Sequence, residues 1–141
     1  FDAAGSLVLN KSIANFEAEL PIELERRAEK GVDDSYDSDN SAKIFRGIVR
    51  DMDKKVPASI ISARLHNSIA EMILNVTKKS KIKKVVLSGG VFQNKYLTDK
   101  TQKLLSNDNF KVYIHSNVET NDSGIPLGQI AIANAKVSAC A

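Results

Sequence analysis

Lys84-Val-Val-Leu-Ser88 is a short β-branched run that stops at Gly89-Gly90. A helical stretch, Gln93 to Ser106, with Tyr96, Leu97, Leu104 and Leu105 as inward residues, separates it from a second run, Lys111-Val-Tyr-Ile-His115. Two strands joined through a helix cannot make a hairpin, and a crossover of this length sets them side by side in parallel. The loop Ser116 to Asn121 leads to a nearly all-apolar helix, Ser123 to Val137, which carries Ile125, Leu127, Ile130, Ala131, Ile132 and Ala135 and reads as buried. Parallel sheets are normally covered on both faces and rarely stop at two strands. The strand–helix–strand–helix order over 81–141 therefore predicts part of a larger α/β domain.

The region 1–80 reads as mainly helical. FDAAGSLVLN has the look of a helix already under way, and the chain lacks an initiator Met; both suggest a fragment, so 1–141 is taken as a single partial domain. Pro21 would break a helix spanning Ile13 to Lys30, so a loop is expected to about Leu20, with Pro21 in the first turn of a shorter helix that stops near Lys30 and Gly31. VDDSYDSDNS lacks the sixth-position glycine and twelfth-position glutamate of a calcium loop and reads as a flexible connection. Ser41 to Lys55 carries Ile44, Phe45, Ile48, Val49 and Met52 on one helical face. Pro57 restarts a helix to about Lys79 with the stripe Ile61, Leu65, Ile69, Met72, Ile73 and Val76. His66 sits at the margin of that stripe with no second His or Cys within a turn, the pattern of a hydrogen-bonded structural histidine.

Composition narrows the function classes. With 43% hydrophobic and 26% charged residues, the chain has the profile of a soluble globular domain. No apolar run reaches the roughly 18 residues of a membrane span. The single Cys140 excludes an internal disulfide framework and an all-cysteine zinc site. No secretory leader opens the chain, so a cytoplasmic location is expected. A net charge of +3 argues for no nucleic-acid partner. The cluster Lys78, Lys79, Lys81, Lys83 and Lys84 lacks interleaved aromatics and reads as a solvated helix end.

Two segments can carry chemistry. In Leu87-Ser-Gly-Gly-Val-Phe-Gln-Asn94, paired glycines after a strand either serve a tight turn or let a backbone N–H approach an anion such as a phosphate. In Asn121-Asp-Ser-Gly-Ile-Pro-Leu-Gly-Gln129, Asp122 stands at the exit of a parallel strand, where ligands of open α/β sheets collect. It or Ser123 can equally cap the following helix.

SGGVFQN followed by NDSGIPLGQ, with FDAAGSLVL, ELPIELERRA and SARLHNSIAEMI before them, resembles the C-terminal part of the HypF family over nearly the whole chain. These are the carbamoyltransferases that mature nickel–iron hydrogenases. The resemblance implies a helix-rich C-terminal lobe of an actin-like, ribonuclease H-like ATPase domain. It implies transfer of the carbamoyl group of carbamoyl-adenylate, made from ATP in a YrdC-like domain, to the C-terminal cysteine of a HypE-like partner. Gly89 and Gly90 would face the nucleotide phosphates, and Asn94 would help fix the nucleotide. Asp2 and Glu23 would contact the ribose, with Glu17 a further candidate. Asp122 would join a divalent metal, zinc or iron, whose histidines lie in an HxxxH motif of the preceding lobe. His66 and His115 do not form that motif. The chain is thus expected to hold half a nucleotide cleft and one metal ligand, inactive alone, with no catalytic residue identified.

Departures from the family pattern are Ala18-Glu19 in place of a glycine-containing turn, Ser123 for glycine, Pro126 for alanine and a short 31–41 stretch. Cys140 reads as a disordered terminal thiol, since the acceptor belongs to the partner. Competing functions are a tRNA threonylcarbamoyl-transferase lobe, disfavoured by Phe92-Gln93, and a non-catalytic protein-docking lobe.

Overall fold

A computed structural model describes residues 1–139, so Cys140 lies outside the described residues. Four helices come first: α1 (Asp2–Leu9), α2 (Glu19–Arg27), α3 (Ser41–Asp53) and α4 (Ala58–Lys78). Then follow β1 (Lys84–Leu87), a 3₁₀ turn (Gly90–Gln93), α5 (Lys95–Asn107), β2 (Lys111–Ile114), a second 3₁₀ turn (Asp122–Gly124) and α6 (Ile125–Ala139). β1 and β2 pair in parallel, Lys84 opposite Lys111 and Leu87 opposite Ile114. Among the described residues no helix is long and apolar enough to cross a membrane.

α4 runs through both halves because Pro57 starts it cleanly and no glycine or proline interrupts it. Its Ile61 and Leu65 join Ala4, Leu24, Tyr36, Ile44 and Ile48 in one buried cluster. Farther along, Leu74 covers a second cluster of Leu87, Leu105 and Phe110 beneath the sheet. Val76, assigned to the stripe from spacing, is exposed, as are Val49 and Met52 of α3. Pro21 lies in the first turn of α2, as its fixed φ favours. The helix stops at Ala28, before Lys30 and Gly31.

The 32–40 segment departs from the expected flexible connection. Asn67 Nδ2 donates to the carbonyls of Val32 and Asp34, each at 2.8 Å, and the Tyr36 N–H donates to Ser68 Oγ at 2.8 Å. The buried Tyr36 hydroxyl donates to Asp51 at 2.9 Å, and Arg64 reaches both Asp51 (2.7 Å) and Asp34 (3.1 Å). Burial, then the bond to Asp51, holds the Tyr36 hydroxyl well above its usual pKa. The segment is held against α4 by its backbone groups and by Tyr36, while Asp33, Asp34, Asp37 and Asp39 stay exposed, so the groups that are buried are the ones that find partners.

α6 also departs from expectation, since it is not buried. Ile125, Leu127, Ile130, Ile132 and Val137 are each at least half exposed, and the helix packs mainly on the turn that precedes it. A helix apolar on every side needs cover on every side, and the rest of this chain supplies almost none.

Two positions test the packing. A Cβ on Gly47 would lie 2.4 Å from Tyr36 Cδ1, so Gly47→Ala is expected to cost about 1–3 kcal/mol in equilibrium denaturation. Ala18 holds a left-handed φ of 62° at the start of α2. Ala18→Gly is therefore expected to stabilise the chain by about 0.5–1 kcal/mol, since the relief of left-handed strain exceeds glycine's entropic cost.

Candidate functional site

Parallel pairing brings the exits of β1 and β2 to one edge. Just past the last ladder pair, His115 Nε2 and Ser88 Oγ lie 2.9 Å apart. Gly89 follows at φ +102°, a conformation side chains rarely adopt, and its N–H donates to the Thr120 carbonyl at 2.8 Å. Its carbonyl accepts from the Phe92 N–H at 3.0 Å, closing the 3₁₀ turn. The N–H groups of Gly90 and Val91 head that turn. A Cβ built on Gly90 would meet nothing within 4 Å, and its φ is not in the left-handed region. Nothing inside the chain therefore requires a glycine at 90, and the main chain there stands bare to the outside.

Beside this turn an open groove of about 900 Å³ is lined by Phe92 and Gln93, by residues 115–120, and by Ser123 and Leu127. Neither Gly89, Gly90 nor Asp122 is among its lining residues. Asp122 is exposed, and its neighbour Ser123 faces the groove instead. The helix cap assigned to Asp122 or Ser123 belongs to Asn121, whose Oδ1 accepts from the Ser123 N–H at 3.1 Å and from its hydroxyl at 2.6 Å.

Asn94 is a structural hub. Its backbone is extended, so the helix expected from Gln93 splits into a 3₁₀ turn and α5. Oδ1 accepts from the Leu97 N–H at 2.8 Å, and Nδ2 donates to His66 Nε2 at 2.8 Å. His66 Nδ1 in turn donates to the Ser62 carbonyl at 2.7 Å, so the fully buried imidazole is satisfied at both nitrogens. The Asn94 amide, 9% exposed, is thus engaged within the fold and holds the turn. Glu25, which the sequence did not single out, caps the same helix end. Its carboxylate accepts from the N–H groups of Lys95 at 2.7 Å and Tyr96 at 3.2 Å. The signal available in the sequence was Asn94 itself, a preferred N-cap residue directly before a helical run.

The other predicted residues lie apart from the groove. Asp2 is exposed at the start of α1, and Glu17 is exposed in the loop before α2. Glu23 is half-buried and paired with Arg27 at 2.9 Å. Glu19 closes that loop by accepting from Asn15 N–H at 2.6 Å and pairing with Lys11, bonds that lower its pKa to about 2. Among the described residues no group of three or more His, Cys, Asp or Glu is placed to hold a metal ion. His66 is engaged at both nitrogens, and Asp122 belongs to no such group among the described residues, so by itself it does not fit a zinc or iron site.

Residues 1–129 match the family described as "Carbamoyltransferase, Kae1-like Domain, second subdomain". Carbamoyltransferase HypF of Synechocystis sp. is 26% identical over 139 residues, covering 92% of this chain and 18% of that protein. The uncharacterized protein MJ0004 of Methanocaldococcus jannaschii is 33% identical over 88 residues, 57% of this chain and 36% of its own. The crystal structure of full-length HypF in the phosphate- and nucleotide-bound form matches with a TM-score of 0.83 at 35% identity, over 97% of this chain and 20% of that one. The chain therefore spans about a fifth of the HypF proteins it matches.

Burial holds the His66 imidazole below its usual pKa, against the opposing Ser62 carbonyl and the nearby Glu25. The unfolded chain takes up a proton below about pH 6.5 that the folded chain resists. Stability is complete above that pH and falls below it, by at most about 1.4 kcal/mol per pH unit. Urea denaturation at pH values either side of 6.5 checks this, and His66→Gln is expected to flatten the slope. Elemental analysis of the purified chain is expected to find no stoichiometric zinc or iron; one bound ion per chain would contradict the donor count.

Proposed function

Because the chain belongs to the family of HypF-type carbamoyltransferase Kae1-like domains, we propose that it forms one wall of a nucleotide cleft serving carbamoyl transfer from carbamoyl-adenylate. The observation that carries this reading is Gly90, bare over open space and required by nothing in the chain's own packing. A phosphate placed there meets the N–H groups of Gly90 and Val91 without a side chain in the way. The matched HypF is phosphate- and nucleotide-bound, which supports a nucleotide as a ligand of the whole protein.

In the transfer, the thiolate of an acceptor cysteine on a HypE-like partner attacks the carbamoyl carbon. A carbon–sulfur bond forms, the carbon–oxygen bond to phosphate breaks, and AMP leaves with the electron pair. Main-chain N–H groups at residues 90 and 91 offset the charge gathering on that phosphate. Asn94 and Glu25 hold these groups in place by capping α5. Asp2 and Glu23 are assigned to the ribose side. The exposed apolar surface of α6 supports a need for a complementary lobe before turnover, so the chain alone is proposed to be inactive. A cytoplasmic, ATP-supplied setting in hydrogenase maturation belongs to the same proposal.

The test uses a HypF in which this chain replaces the corresponding segment. Calorimetric titration with ADP is expected to show tight binding, and Gly90→Trp is expected to weaken it at least about tenfold, one to two lost charge-assisted hydrogen bonds. Equal affinity in both proteins would remove the glycine turn from the site.

A further inference from the structure

Ser88 and His115 extend the sheet register by one pair beyond Leu87 and Ile114, and they are the first side chains past the strand ends. Their hydrogen bond, 2.9 Å from Nε2 to Oγ, links the two strand exits at the point where the glycine turn begins. Ser88 is exposed, whereas His115 is half-buried and lines the groove. Gly89, the next residue, is tied to Thr120 of the second exit loop at 2.8 Å. The hydroxyl therefore sits on a backbone anchored from both strands, beside the bare main chain at Gly90. Satisfying the secondary structure requires none of this pairing, since both residues lie outside the ladder.

We propose that Ser88 and His115 form a phosphate-reading pair: the Ser88 hydroxyl donates to a phosphate oxygen of a nucleotide lying over Gly90, and His115 positions that hydroxyl. With Nε2 protonated, His115 donates to Ser88 Oγ and turns its O–H toward the ligand. With the imidazole absent, the hydroxyl rotates freely and loses that direction. The carboxylate among the groove-lining residues is the exposed Glu119, which disfavours a second anion in the groove. The pair thus selects for the phosphate end of the ligand at the turn, with the neutral part elsewhere in the cleft. This inference rests on the nucleotide reading above and adds to it a side-chain contact and a specificity.

The test separates phosphate recognition from folding by comparing ADP with adenosine, again in a HypF carrying this chain. Ser88→Ala is expected to weaken ADP binding by about ten- to a hundredfold, the loss of one hydrogen bond to a charged group, and to leave adenosine binding unchanged. Ser88→Thr keeps the hydroxyl and is expected to retain ADP affinity. His115→Leu is expected to act like Ser88→Ala, His115→Gln to restore binding through its amide N–H, and the Ser88→Ala/His115→Leu double variant to lose no more than either alone. If Gly90→Trp abolishes ADP binding while Ser88→Ala does not change it, the pair is overturned and the nucleotide reading stands. Equal losses for ADP and adenosine would show a merely structural effect and also overturn the pair. Absence of ADP binding by the unmodified protein would overturn both.

Discussion

The hydrogen bond from Asn94 Nδ2 to His66 Nε2 joins the helical half of the chain to its strand-bearing half, at a place neither side chain shares with solvent. Each partner is already committed on its other side, His66 to the Ser62 carbonyl and Asn94 to the Leu97 N–H. Substituting either leaves a buried polar group unmatched, which costs more than the bond itself contributes. Glu25 adds a third attachment by capping α5 from α2. The start of α5 is therefore fixed by two elements distant in sequence, α4 and α2, and α5 in turn fixes the turn that precedes it.

That constraint explains why the strand exits can be precise with so little sheet beneath them. Two four-residue strands offer few ladder bonds, yet the connection from Gly89 to Asn94 is held at both ends. Thr120 holds Gly89, and His66 holds Asn94. Between those anchors the main chain at Gly90 faces outward without a side chain. Rigid ends with a bare middle are what an anion site requires, because the N–H groups then need no reorganisation to meet charge.

Much of the fold was legible from spacing. The parallel pair, Pro21 in a first turn and the restart at Pro57 follow from local rules that tertiary context seldom reverses. His66 read correctly as a satisfied histidine because a ligand would have needed a near neighbour in sequence. Three other features were not legible. The 32–40 segment has the composition of a linker, and only Tyr36 hinted at an anchor; its order comes from Asn67, Ser68 and Arg64, more than twenty residues later. α6 looked like a core helix because apolar content reports a need for cover, not its presence. Asn94 was assigned to ligand from the family motif, whereas its side chain is spent inside the fold.

The sequence by itself determined the strand–helix–strand–helix order, the glycine pair after β1 and the family. These depend on short-range periodicity, backbone permissiveness and motif identity, all of which are written within a few residues of one another. Only the tertiary structure decided that Ser88 meets His115, that Gly89 leans on Thr120 and that Asp122 stands apart from the groove. Those outcomes depend on where separate elements come to rest, and on which polar groups burial compels to find partners far along the chain.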